Sequence, residues 1–212
     1  MLSWYVFRCP YGKELTLQQN VQNIFGVECF VPTEKVRQRD RHGRFVWVQR
    51  SVLTGYIFVR IEKERQYLIP RRLITLHTMV CQENGLLRPV IVPDRDMASF
   101  IRVSGSKEER IAYLDPSKLN LKKGDRVRVI GGTFVGVEGV FMQIGGKHEK
   151  RVIIELQGLI AVATAAIPAS MVEKIEPKSV NRPTVQLFLS FLGLFMTSQH
   201  FFRHLGHIPV LT

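Results

Sequence analysis

Four cations recur at every second position of one short stretch: Lys35, Arg37, Arg39 and Arg41. Side chains two residues apart on an extended strand share a face, so these four would form a basic ribbon. The chemistry available to such a ribbon is ionic contact with the phosphates of a nucleic acid, reinforced by counterion release. Arg44 and Arg50 follow the turn signal His42-Gly43 and extend the patch from a returning strand, and Arg71-Arg72 add charge at a later turn. The alternative is a solvated strand edge whose charge discourages aggregation. Spacing alone leaves both readings open.

Other chemistry is sparse. No paired carboxylates in a recognisable motif, nucleophile elbow or metal-ligand constellation stands out, so a binding protein is expected and an enzyme is not. His200, His204 and His207 would group on a helix, but they lack a neighbouring carboxylate or thiolate and form a weak metal signal. Cys9, Cys29 and Cys81 are odd in number and far apart, as in a reduced, cytoplasmic protein. The glycines from Gly124 to Gly139 are not a phosphate-binding loop, because no Gly-Lys-Ser or Gly-Lys-Thr accompanies them. No cofactor is expected. Thirty Lys and Arg against 18 Asp and Glu give a net charge of +12 over 212 residues, which favours a partner bearing phosphates or an acidic surface.

The elements that must position these groups are organised around Leu53 to Ile61, an apolar run rich in β-branched and aromatic residues that reads as a central strand. Ile57, Val59 and Ile61 share one face, which is ordinary core. Tyr56, Phe58 and Arg60 share the other, where two aromatics beside an arginine either pack under a helix or line a socket for another protein. Ahead of it come a short aromatic strand at Trp4 to Arg8, a helix with Leu17, Val21, Ile24 and Phe25 at helical spacing that Gly26 ends, and a strand at Val27 to Pro32. Behind it come a helical turn at Glu62 to Ile69 stopped by Pro70, strands at Leu73 to Val80 and Leu87 to Val92 flanking the turn Asn84-Gly85, and a helix opened by Pro93 and carrying Met97, Phe100 and Ile101. This order predicts an α+β domain over residues 1–105 with a mostly antiparallel sheet.

A polar stretch over residues 106–120 reads as a linker. Residues 121–175 alternate short strands with glycine, the rhythm of a small five-stranded barrel. The first domain carries a net +7 and the second +3, which puts the first nearer nucleic acid. Residues 176–212 form a tail of uncertain order. Its apolar run from Val185 to Met196 is shorter than the roughly 20 residues of a membrane-spanning helix, so no membrane partner is expected.

With both domains read, residues 2–175 resemble the NusG family of transcription elongation factors. The residues that carry the resemblance are Trp4-Tyr5-Val6, Val31-Pro32-Thr33-Glu34-Lys35-Val36, Gly55-Tyr56-Ile57-Phe58-Val59, and Gly124-Asp125-Arg126-Val127-Arg128-Val129 followed by Gly131, Phe134, Gly136 and Gly139. The last group is similar to a KOW motif. Ser3-Trp4-Tyr5 followed by Cys9 is similar to RfaH, whereas Val90 to Asp94 and Gly158 to Ala165 look more like the UpxY-type paralogues of capsular polysaccharide operons. The resemblance implies an NGN domain followed by an SH3-like KOW barrel, and a specialised antiterminator that promotes processive transcription of long operons.

It further implies that the first domain grips the clamp helices of RNA polymerase with Trp4, Tyr5, Tyr56 and Phe58, its basic loops facing the DNA and RNA of the elongation complex. The barrel would engage a ribosome or a termination factor through Leu159 and Ile160, with leucine in place of the usual aromatic. Thr54 replaces the usual proline before Gly55. The competing expectation is a ribosome-associated or free RNA-binding protein, because KOW barrels also occur in ribosomal proteins.

Overall fold

The computed structural model describes residues 1–106, 111–119, 124–144 and 149–175. The expected tail, with its three histidines, and the Gly145-Gly146 pair lie outside the described residues.

Strand β5 (Tyr56–Glu62) sits inside the first sheet, paired antiparallel along its whole length with β1 (Leu2–Arg8) and on its other side with β2 (Glu28–Phe30). β6 (His77–Thr78) and β9 (Ile91–Val92) pair with the far edge of β1. Helix α1 (Glu14–Phe25) covers one face, where Leu17 and Val21 join Tyr5, Phe7, Ile57, Val59 and Ile61 in one buried cluster. Gly26 ends this helix at φ 63°, a left-handed conformation that glycine adopts without a Cβ penalty, and donates its N–H to the Gln22 carbonyl. The second face buries Trp4, Val6 and Phe58 with Met97, Phe100 and Val103 of α3 (Asp94–Ser104).

Two hairpins stand apart from this sheet. The longer is β3 (Thr33–Arg39) with β4 (Phe45–Ser51), and the shorter is β7 (Val80–Glu83) with β8 (Leu86–Pro89), turned at Asn84-Gly85 with both residues at positive φ. Between β5 and β6, helix α2 is only Leu68–Arg72 and contains Pro70, which was expected to stop a helix there. The correction has a simple cause: in the first turn of a helix the N–H that proline lacks has no intrahelical acceptor anyway.

The second sheet is all antiparallel, in the order β10 (Ala112–Leu114), β14 (Ile160–Ala163), β13 (Lys150–Leu156), β12 (Glu138–Gln143), β11 (Asp125–Val129) and β15 (Val172–Lys174). It has six strands where five were expected. The extra one, β10, lies in the stretch read as linker and pairs Tyr113 with Val162. At Gly139 a Cβ would meet Val152 Cγ1 at 2.7 Å, so only glycine allows β12 to lie this close to β13.

The two sheets share a core. Val127, Val152, Ile154 and Val162 of the second belong to the same buried cluster as Trp4, Phe58 and Phe100 of the first. Helix α3 is the bridge: Ser99 Oγ accepts the Glu138 N–H at 3.1 Å, the Asp96 carboxylate stands 3.7 Å from Arg126, and the Phe100 ring lies 6.5 Å from that of Tyr113.

Candidate polymerase and nucleic-acid interfaces

The register of β1 and β5 decides which aromatic residues can act together. Trp4, Val6 and Arg8 lie opposite Arg60, Phe58 and Tyr56, so these six share the face turned to α3. Tyr5 lies opposite Val59 on the other face, 2% exposed within the α1 cluster. Tyr5 therefore does not join Trp4, Tyr56 and Phe58 in one socket, because consecutive residues of a strand point to opposite sides. Burial in turn pushes the Tyr5 phenol above its ordinary pKa, with the Glu64 carboxylate adding to the shift.

Within the remaining set, Trp4 is 4% exposed and Phe58 is fully buried, so neither presents a surface to a partner. Tyr56 is different. It is half-buried at the rim, and the Arg8 guanidinium stands 5.9 Å from its ring centroid. Half-buried Phe30, Val52 and Leu53 pack against the same cluster, with Phe30 edge-on to Phe100 at 6.2 Å. The apolar surface left open on this face thus belongs to Tyr56 and these neighbours, while Trp4 and Phe58 hold it up from beneath.

Tyr56 is placed by a buried carboxylate. Glu14, in the first turn of α1, is 3% exposed and accepts the Gly55 N–H at 2.7 Å and the Gly12 N–H at 3.2 Å. Gly55 itself has φ 81°, and its carbonyl accepts the Cys9 N–H at 2.9 Å. The turn before β5 is therefore tied both to α1 and to the end of β1.

The second constellation is the β3–β4 hairpin. Its pairs Lys35 with Gln49, Arg37 with Trp47 and Arg39 with Phe45 all project from one face, and every one of these six residues is exposed. Arg37 and Arg39 lie over the Phe45 ring at 4.3 and 4.9 Å. Arg50 is on the opposite face, paired with Glu34 at 2.8 Å, and so does not extend the basic face as expected. Arg44 and Arg41 sit in the turn; Arg44 is held by Asp40 at 3.0 Å. Asp40 also accepts the N–H groups of His42 and Arg44, and these hydrogen bonds, chiefly that of the Arg44 N–H, hold its carboxyl below the usual range. Arg71 and Arg72 lie on α2, away from the hairpin in sequence, with Arg71 5.1 Å from the Tyr67 ring centroid.

The residues missed by reading the sequence are Phe45 and Trp47. A two-residue tip at His42-Gly43 would pair Arg39 with Val46 and Arg37 with Val48; the observed register is centred one half-step earlier, on His42, and so sets Phe45 and Trp47 beside the arginines.

In the second sheet, Leu159 and Ile160 follow the tight turn at Gln157 and Gly158, both at positive φ. Leu159 is half-buried against the joint core and Ile160 is buried, so this loop does not offer a free apolar surface. Among the described residues no group of His, Cys, Asp or Glu is placed to hold a metal ion, and no helix is long and apolar enough to cross a membrane. Burial pushes the thiols of Cys9 and Cys29 up to about 11 and about 12, with Glu14 and Glu28 contributing to each in turn. Neither is an activated nucleophile.

The chain thus joins, through helix α3, an α+β unit that carries an exposed basic ribbon to an all-β unit. Residues 2–101 match the family model described as transcription termination factor nusG. The likeness to relatives runs further along the chain. The NusG transcription termination/antitermination protein of Thermus thermophilus is 22% identical over 172 residues, covering 74% of this chain and 91% of that one. Its counterpart from Deinococcus radiodurans is 23% identical over 175 residues, covering 74% and 92%. A solved structure on domain interaction in Thermotoga maritima NusG aligns at 25% identity with a TM-score of 0.41, over 83% of this chain and 98% of that one.

Proposed function

We propose that this protein is a specialised transcription elongation and antitermination factor, a binding protein without chemistry of its own that acts on RNA polymerase in the cytoplasm. The observation that carries the reading is the match of residues 2–101 to the nusG family model, which runs from β1 into α3 and so includes both constellations described above. In this reading residues 1–105 attach to the clamp helices through Tyr56 and its apolar rim, while the basic face of the β3–β4 hairpin meets the DNA and RNA of the elongation complex. Residues 121–175 engage a further partner, a ribosome or termination factor, through Leu159 and Ile160 once these are released from the joint core. The Val90 to Asp94 and Gly158 to Ala165 segments, similar to UpxY-type paralogues, support a target among long operons of surface-polysaccharide synthesis.

The mechanism is differential binding. A factor anchored at the clamp, with cations toward nucleic acid, favours the closed elongating state over a paused one only by the difference in its affinity for the two. A difference of about 1.4 kcal/mol is tenfold in that equilibrium, and it acts again at every pause along a long template.

The experiment is a pull-down of the full chain with purified polymerase, intact or lacking its clamp helices, repeated with Tyr56→Ala. Retention by intact polymerase that is lost on deleting the clamp helices and weakened by Y56A supports the proposal. Retention indifferent to the clamp helices contradicts it.

A further inference from the structure

We propose that the exposed face of the β3–β4 hairpin is a stacking site for unpaired bases, with Trp47 and Phe45 as platforms and Lys35, Arg37 and Arg39 as the phosphate contacts. The inference rests on the nucleic-acid contact proposed above and names its ligand, a single-stranded segment of DNA or RNA.

Three observations carry it. Trp47 is 71% exposed and Phe45 53% exposed on a hairpin that, among the described residues, no other strand covers and no apolar partner buries. Cations on this hairpin are divided by face. Arg50 on the far face is neutralised by Glu34 and Arg44 at the tip by Asp40, whereas among the described residues Lys35, Arg37 and Arg39 make no ion pair. Arg37 and Arg39 instead lie over the Phe45 ring, an arrangement that keeps both guanidiniums beside the aromatic platform with their charge uncompensated.

The geometry favours an unpaired strand over a duplex. Phe45 and Trp47 are two residues apart on one strand, which places them ~6.6 Å apart along it. That is nearly twice the ~3.4 Å rise per nucleotide of a stacked helix. Bases meeting both rings must therefore be spread from their normal stack, which an unpaired strand permits and a duplex resists. Aromatic platforms beside a cationic track are also how sequence-tolerant single-strand binders work, since every base has a π-face. A duplex groove would use the three cations and leave Trp47 idle.

The test uses the full chain and its own fluorescence. The protein has two tryptophans, and Trp4 is 4% exposed, so quenching by an added oligonucleotide reports Trp47. The probes are a 12-nucleotide oligo-dT, a 12-nucleotide oligo-rU and a 12-base-pair duplex at equal, low salt. The expected result is quenching by at least one single strand, with affinity at least tenfold weaker in Trp47→Ala and largely restored in Trp47→Tyr, while the duplex binds without quenching. A preference between dT and rU assigns the strand as DNA or RNA. Tighter binding of the duplex, or single-strand affinity unchanged in W47A, overturns the proposal. Polymerase retention is measured on the same variants: a W47A protein that loses nothing on oligonucleotides but still binds the clamp refutes base stacking alone, leaving the polymerase reading intact.

Discussion

The Glu14 carboxylate, buried at the start of α1, accepts the N–H of Gly55 at 2.7 Å and so fixes the residue that immediately precedes Tyr56. Forty-one positions separate the two in sequence. Replacing Glu14 with Ala leaves the Gly55 N–H without this acceptor, a loss worth about 1–3 kcal/mol for a buried group. Urea unfolding should show that decrease, and clamp-helix affinity should fall with it because the turn that sets Tyr56 is freed. Unchanged stability would mean that water replaces the carboxylate at no cost.

Tyr56 and Phe58 separate binding from folding. Phe58→Ala removes a fully buried ring from the core shared by both sheets and should cost about 3–5 kcal/mol of stability. Tyr56→Ala should leave the unfolding midpoint nearly unchanged and weaken polymerase binding by about 2 kcal/mol, as for an interface hot spot. Circular dichroism with urea, alongside titration of polymerase, distinguishes the two.

The division of charge on the hairpin sets the salt dependence. Replacing Arg37 and Arg39 together with glutamine should reduce the slope of log affinity against log salt for a single strand by about 1.4, two contacts at roughly 0.7 each. Arg50→Gln, on the ion-paired face, should leave the slope unaltered. Equal effects from the two substitutions would mean that the faces do not differ in their contact with nucleic acid.

Alkaline pH should weaken the fold through its thiols. Cys29 is raised from 9.0 to about 12 and Cys9 from 9.0 to about 11, so in the folded protein both keep their protons where the unfolded chain ionises. Their contribution is complete below pH 9, falls as pH rises above 9, and is lost near the folded values. The urea midpoint should drop between pH 8 and pH 10.5, and the drop should be smaller in Cys29→Ala. An identical drop in both proteins would assign the alkaline loss to other groups.

How far the sequence discloses this arrangement depends on how local each signal is. Alternating cations around His42-Gly43 specify the hairpin and its basic face, and the apolar alternation from Tyr56 to Ile61 specifies β5, because both patterns lie within one strand. The same rule separates Tyr5 from Trp4, since neighbours in a strand point to opposite faces. Strand β10 was not legible: three residues become a strand through pairing with β14, and nothing in Ala112–Leu114 announces that partner. The same holds for α3. Its Met97 and Phe100 mark an apolar stripe, but the buried Ser99 gains its meaning only from the Glu138 N–H on the second sheet.

The pause lifetime of purified polymerase on a long template tests the central claim most directly. Full-length protein, at a concentration where it saturates polymerase, should shorten pauses and raise the yield of promoter-distal RNA. Y56A at the same concentration should do so much less, recovering as its concentration is raised. Wild-type protein that occupies the clamp helices and leaves pause lifetimes unaltered would contradict the account.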